Sequence, residues 1–209
     1  TASRKVPKMN LMRSLSLALV LLLSPALAQA QQFFDFDGQA TGYTQVGDTI
    51  DMYSIVLDPP SVDTPLPLDF ANFQYTIVVT GLQVDLISGN DTGFIGGTIA
   101  LYEDDTTPAD YADPSSFTDG TALLSGELEN LVVQMFTADL GSGSGVVSWT
   151  GGSNINDLRP QDRLNWAFLI NVSAATEAGY DARWDGKVEP QEPVVDNDAR
   201  SWGAVKTEF

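Results

Sequence analysis

The sequence runs to 209 residues, with 28 acidic against 10 basic side chains for a net charge of −18, and it holds no cysteine and no histidine. Those two absences exclude Ser-His-Asp and Cys-His nucleophilic catalysis, disulfide stapling, and the usual zinc and copper sites. What remains for acid–base chemistry is pairs of carboxylates.

Residues 1–30 have the pattern of an export signal. Arg4, Lys5, Lys8 and Arg13 give a basic start, Leu15 to Leu23 is an apolar core, Pro25 breaks the helix, and Ala28-Gln29-Ala30 is a small-x-small cleavage site. The apolar core is too short for a permanent membrane span. The mature chain is therefore expected to begin near Gln31 and to run for 179 residues, the size of one domain. No cysteine follows the cleavage site to carry a lipid, and no transmembrane anchor is expected in the mature chain. Four of the ten basic residues and none of the acids lie in residues 1–30, so six basic side chains remain against 28 acidic ones, a net charge of −22. Such a chain repels nucleic acid and anionic membrane. Its charged partners are cations, with Ca²⁺ the obvious one outside a cell, unless the acids only solvate the surface. An exported domain without cysteine fits a bacterial protein, periplasmic or extracellular.

From Gln31 onward, short runs rich in Val, Ile, Leu, Thr and aromatics alternate with clusters of Gly, Pro, Asp and Ser. Strands are expected at Phe33–Asp37, Thr49–Leu57, Phe70–Thr80, Gln83–Ile87, Gly97–Tyr102, Ala122–Glu129, Leu131–Ala138, Gly145–Thr150 and Asn165–Ser173. Phe73, Tyr75, Ile77 and Val79 alternate with Gln74, Thr76 and Val78, which gives one apolar face. Trp166, Phe168 and Ile170 alternate with residues that are themselves partly apolar, so that strand should be central. No helical period is sustained; Asp157–Leu164 predicts one short turn of helix, with Pro160 near its start. Ser88-Gly89-Asn90-Asp91-Thr92-Gly93 reads as a turn, and Gly141-Ser142-Gly143-Ser144-Gly145 as a flexible hairpin loop. The fold class expected from this rhythm is all-β, a single antiparallel β-sandwich of jelly-roll type over 31–187. Residues 188–209, with Pro190 and Pro193, read as an extended tail that Trp202 and Phe209 would dock or leave free.

The sharpest chemical cluster is the loop bearing Glu103, Asp104, Asp105, Asp110, Asp113 and Asp119. Hard oxygen ligands in a loop are what Ca²⁺ requires, and Glu103, Asp104, Asp110 and Asp113 are the candidate metal ligands. The spacing does not match a twelve-residue EF-hand loop, and Asp and Pro are also ordinary turn residues. Glu127 and Glu129 share a strand face as an i, i+2 pair, the pattern of a solvent face and also the raw material of a glycosidase dyad. Tyr180 and Trp184, in a segment with Asp181, Arg183 and Asp185, are the candidate carbohydrate-binding aromatics, or else a cover for the end of the sandwich. Asn90-Asp91-Thr92 and Asn171-Val172-Ser173 match the glycosylation acceptor pattern, which a bacterial protein is not expected to use.

The run Gly96-Gly97-Thr98-Ile99-Ala100-Leu101-Tyr102-Glu103-Asp104, with Phe117-Thr118-Asp119-Gly120-Thr121-Ala122-Leu123-Leu124-Ser125-Gly126, resembles the middle of exported bacterial proteins of the exosortase-associated (PEP-CTERM) group. Trp184-Asp185-Gly186-Lys187-Val188-Glu189-Pro190 is similar in tone. The resemblance covers about half of the mature chain. It implies a secreted β-sandwich tied to cell-surface or exopolysaccharide biology, and it carries over no catalytic residue. The sequence ends Trp202–Phe209 without that group's sorting signal. The function expected from the whole reading is an exported structural protein of the cell surface or matrix, with no catalysis. A carbohydrate-binding module supported by Ca²⁺ is the alternative, and a glycan-active enzyme using a carboxylate pair stands third.

Overall fold

The computed structural model describes residues 33–58 and 64–191. The expected export signal and most of the expected tail lie outside the described residues. The described strands are β1 Phe34–Ala40, β2 Thr49–Leu57, β3 Gln74–Ser88, β4 Asp91–Ile95, β5 Gly97–Asp104, β6 Thr121–Met135, β7 Gly141–Gly151, β8 Trp166–Ala174 and β9 Ala182–Glu189. Short 3₁₀ turns at Pro114–Phe117, Ile155–Asp157 and Pro160–Arg163 are the helical structure among the described residues, the last matching the turn expected within Asp157–Leu164.

Every pairing among the described strands is antiparallel, and each strand but β4 and β5 pairs with its neighbours in the chain. β4 and β5 share one position. β3 pairs β4 through Gln83–Ser88 and β5 through Gln74–Thr80. The two short strands are one interrupted strand, broken at Gly96, whose φ of 72° is open to glycine at no steric cost. β9 then pairs back onto β1, from Phe34↔Val188 to Ala40↔Ala182. The ring closes as an eight-stranded up-and-down barrel. This corrects the expected sandwich: there is one sheet, and its two ends meet, so among the described strands no edge is left unpaired.

Several local expectations change for the same reason. Gly141–Gly145 is not a loop but the start of β7. Its inward positions face bulky neighbours: Gly141 opposes Val172, Gly143 opposes Ile170, and Gly145 opposes Phe168. A narrow barrel alternates small and large residues inside, and glycine here makes room for its partner. Asp91–Ile95 is a strand rather than part of a turn, which leaves Gly89 and Asn90 as the bend. Ala182–Glu189, read as an exposed segment running into a tail, is the strand that closes the barrel.

The interior is filled by side chains. Trp149, Trp166, Tyr75, Phe34, Phe36, Phe94 and Phe168 are fully buried. Phe34 stacks on Trp166 at 6.0 Å, Phe36 on Phe168 at 5.5 Å, and Trp149 meets Trp166 edge-on at 5.8 Å. Each such ring contributes about 1.5–3 kcal/mol from burial alone, with about 0.5–1.5 kcal/mol more from a well-placed ring pair. Ser54, wholly buried, donates its hydroxyl to the Ile77 carbonyl at 2.6 Å. Among the described residues, Nε1 of Trp149 is the buried side-chain polar atom without a partner.

Curvature comes from bulges and close glycine contacts. Register shifts occur at Ile50/Met52, Val84/Leu86, Leu101/Tyr102, Ser125/Gly126 and Glu129/Val132. A Cβ on Gly126 would lie 2.1 Å from the Ser148 carbonyl oxygen, and one on Gly186 would lie 2.0 Å from that of Leu169. At these points the walls bend so sharply that only glycine fits.

The outer wall carries Asp35, Asp37, Glu127, Glu129, Arg183, Asp185 and Lys187. Charges outside and apolar rings inside are the inverse of a lipid-embedded barrel. Among the described residues no helix is long and apolar enough to cross a membrane.

Candidate functional site

With the interior filled by side chains, the surface open to solvent is the outer wall and the ends of the barrel. The wall has two unlike sides. On one, the β5–β6 loop, residues 105–120, straps across β2 and β3. Thr76 and Val78 point outward on β3 and are nevertheless buried, because the strap lies on them. The Thr76 hydroxyl donates to the Phe117 carbonyl at 2.7 Å, and the Phe117 ring packs edge-on against Tyr53 at 5.6 Å. Tyr111 packs on Phe117 at 4.9 Å and on Tyr180 at 5.7 Å. Its hydroxyl donates to the Asp37 carbonyl, and the Tyr180 hydroxyl donates to the Tyr111 carbonyl. Arg183 Nε and Nη2 grip both carboxylate oxygens of Asp37 at 2.7 Å each. Burial raises the phenols of Tyr111, Tyr53 and Tyr180, so all three are donors rather than phenolates.

The acids of the strap serve its own turns. Glu103 faces the barrel end, where its Oε2 accepts from the Tyr75 hydroxyl at 2.8 Å. Burial, with Glu103 adding to it, pushes the Tyr75 phenol up to about 12, which keeps it a donor. Asp104 accepts from the Thr106 and Thr107 amides, and these bonds lower its pKa. Asp110 accepts from the Ala112 amide at 2.9 Å. Asp113 caps the 3₁₀ turn, accepting from the Ser115 amide and hydroxyl. Asp104 and Asp119 do face each other, and partial desolvation together with Asp104 raises Asp119. Glu103, Asp104, Asp110 and Asp113 are therefore not brought to a common point. Among the described residues no three His, Cys, Asp or Glu side chains gather in a metal-binding group.

The other side of the wall, β6 to β8, is bare among the described residues. Near the rim β7 shows Ser142 and Ser144 outward, ahead of Val146, Ser148 and Thr150, and they lie between the larger side chains of β6 and β8. The result is a groove of about 510 Å³ running along β7. Strand register orders its lining into two rows. In one, Asp91 lies beside Gln134, then Ser142, then Asn171, then Asp185. Gln134 Nε2 donates to Asp91 at 3.0 Å, and Asn171 Nδ2 donates to Asp185 at 3.3 Å. Each amide is pinned from behind by a carboxylate and turns its remaining polar atoms to the groove. In the next row Val132 and Leu169 flank Ser144. At the barrel rim Phe136, 61% exposed, and Leu140, 53% exposed, pair across the hairpin tip through Phe136 N–H to the Leu140 carbonyl.

No family model, no curated protein and no solved structure matches this chain.

Trp184 and Tyr180 are not brought together. Trp184, 3% exposed, sits inside the barrel against Phe94, and Tyr180 belongs to the aromatic seam of the strap. The alternation Trp184, Gly186, Val188 against Arg183, Asp185, Lys187 signals that strand, and it also places Trp184 on the inner face. Glu127 and Glu129 stand side by side on the outer face of β6, both exposed. Missing from the sequence reading were Gln134, Asn171 and the two serines. The available signal was the run of alternating small residues at 141–145, which marks a β-strand when its inward partners are bulky.

Proposed function

We propose that this protein is an exported, non-catalytic module of the cell surface or extracellular matrix that works through its outer wall. The observation that carries this reading is the filled interior: Trp149, Trp166, Phe34, Phe36 and Phe168 occupy the space that a carrier barrel of this size keeps for a ligand. The leader-like residues 1–30 and the loose likeness of 96–104 and 117–126 to exosortase-associated proteins support the same compartment. A closed barrel with no free edge also suits a crowded matrix, where open strands would recruit one another.

Fractionation of bacteria making the full sequence, followed by mass spectrometry of the chain's N-terminus, tests it. The expected product begins near Gln31 and is recovered from the periplasm, envelope or medium. A cytoplasmic chain that keeps Leu15–Leu23 contradicts the reading.

Carbohydrate recognition is the second reading, and the groove along β7 favours it over a purely mechanical role.

A further inference from the structure

We infer that the groove along β7 takes a stretch of uncharged polysaccharide, lying parallel to the strand and held by Gln134, Asn171, Ser142 and Ser144. The inference rests on the proposal that the protein works through its outer wall outside the cytoplasm.

The chemistry of the two rows carries it. β6 and β8 are two strand spacings apart, about 9.5 Å, and between them the floor of the groove is Ser142, Gly143 and Ser144. That is a trough for a flat ligand one ring wide. One row offers two amides and a hydroxyl, all of which both donate and accept. The Gln134 and Asn171 amides are fixed by Asp91 and Asp185, so they meet a ligand already oriented. The next row along the strand, two residues or about 7 Å further, offers Val132 and Leu169 around Ser144. Polar and apolar strips therefore alternate along the groove. A sugar chain alternates in the same way, with hydroxyl edges and apolar C–H faces. Phe136 and Leu140 form a second apolar strip at the rim, on the other side of the polar row, and an exposed ring there is a stacking surface for one more sugar.

Charge selects within this class. The chain from Gln31 onward stands at −22, and Asp91 and Asp185 sit behind the two amides. An acidic polysaccharide would meet like charge along the whole groove. A peptide has no edge strand to extend, because the barrel is closed.

Affinity electrophoresis of the purified full chain through gels holding single polysaccharides tests the assignment: neutral glucans, mannan, galactan and xylan, with alginate and hyaluronan as acidic counterparts. At least one neutral polymer should retard the protein, and the acidic ones should not. Ser144→Phe, which fills the trough, and the Gln134→Ala, Asn171→Ala pair should each weaken retardation at least tenfold, with near-UV circular dichroism unchanged. Glu127→Ala, elsewhere on β6, should leave it as it is. Should the double variant fail to fold, Ser144→Phe reads the same trough alone. No retardation by any neutral polymer, equal retardation of the filled variant, or retardation by acidic polymers alone overturns the inference. Those results with an exported chain leave the outer-wall function standing; a cytoplasmic chain removes that function as well.

Discussion

The strapped wall and the bare wall of this barrel are built from the same kind of strand, yet only one of them is covered. Over β2 and β3 the outward residues include Tyr53, Thr76 and Val78, and beneath the strap Thr76 and Val78 are buried and Tyr53 is half-buried against Phe117. Over β6 to β8 the outward residues at the groove are Ser142, Ser144, Gln134 and Asn171, with Val132 and Leu169 beside them, and among the described residues no loop takes part in its lining. The difference lies in what each wall exposes to water. The first wall presents apolar area that the chain itself must cover to be stable in water. The second presents a mixed trough that costs little when wet and offers directional groups to a ligand.

The largest effect that sharpens this contrast comes from glycine. Gly126→Ala on an inward bend drives a Cβ to 2.1 Å from the Ser148 carbonyl oxygen, whereas Gly93→Ala on the bare outer face meets nothing nearer than the Leu86 Cβ at 3.5 Å. Chemical denaturation should show a loss of about 3 kcal/mol or more for the first, and a change within about 0.5 kcal/mol for the second. Equal losses would break the account of glycine-made curvature.

Phenylalanine gives the next contrast. Phe117→Ala should cost about 3 kcal/mol or more, because the ring is 1% exposed and holds the strap to Tyr53. Phe136→Ala should change stability by no more than about 0.5 kcal/mol. A similar cost for both would mean that the bare wall is itself structural.

How much of this was legible in the chain follows from the range of each signal. Thr49–Leu57 was readable to the residue, because alternation is local and both its ends are polar. β3 and β6 were each read as two strands, since Gly81 and Asn130 look like turns; both take positive φ but bend a continuing strand. Closure was not legible at all. It depends on Phe34 pairing with Val188, and no local pattern reports a contact across 154 positions. The site was hidden by the same reasoning that hid β7: glycine and serine were taken as flexibility, when the inward glycines make room for Phe168 and Ile170 and the outward serines form a trough floor.

A smaller effect is expected from pH. Burial first, and the neighbouring Asp185 second, hold the Asp35 carboxyl above its ordinary 3.8. A raised folded value means that Asp35 favours the fold below pH 3.8 and loses that contribution as pH rises through the raised value. Asp35→Asn should therefore melt higher than the parent at pH 7 and level with it below pH 3.8. A parent that melts higher at pH 7 would reverse the sign and contradict the burial of that side of the wall. Smallest of all, millimolar Ca²⁺ against chelator should leave the melting midpoint unchanged, because Asp104, Asp110 and Asp113 already accept from backbone amides of the strap. A rise with Ca²⁺ that disappears in an Asp104→Asn, Asp110→Asn variant would show that the strap rearranges around a cation.

One wall is covered by the strap, and the other is the one proposed to take a ligand. Hydroxyl-radical footprinting read by mass spectrometry measures both walls in one sample. Phe136 should oxidise rapidly while Phe117 stays protected, and the neutral polysaccharide that retards the chain should slow Phe136 without changing Phe117. Oxidation of Phe117 at the rate of Phe136, or equal protection of both by the polymer, would contradict the account.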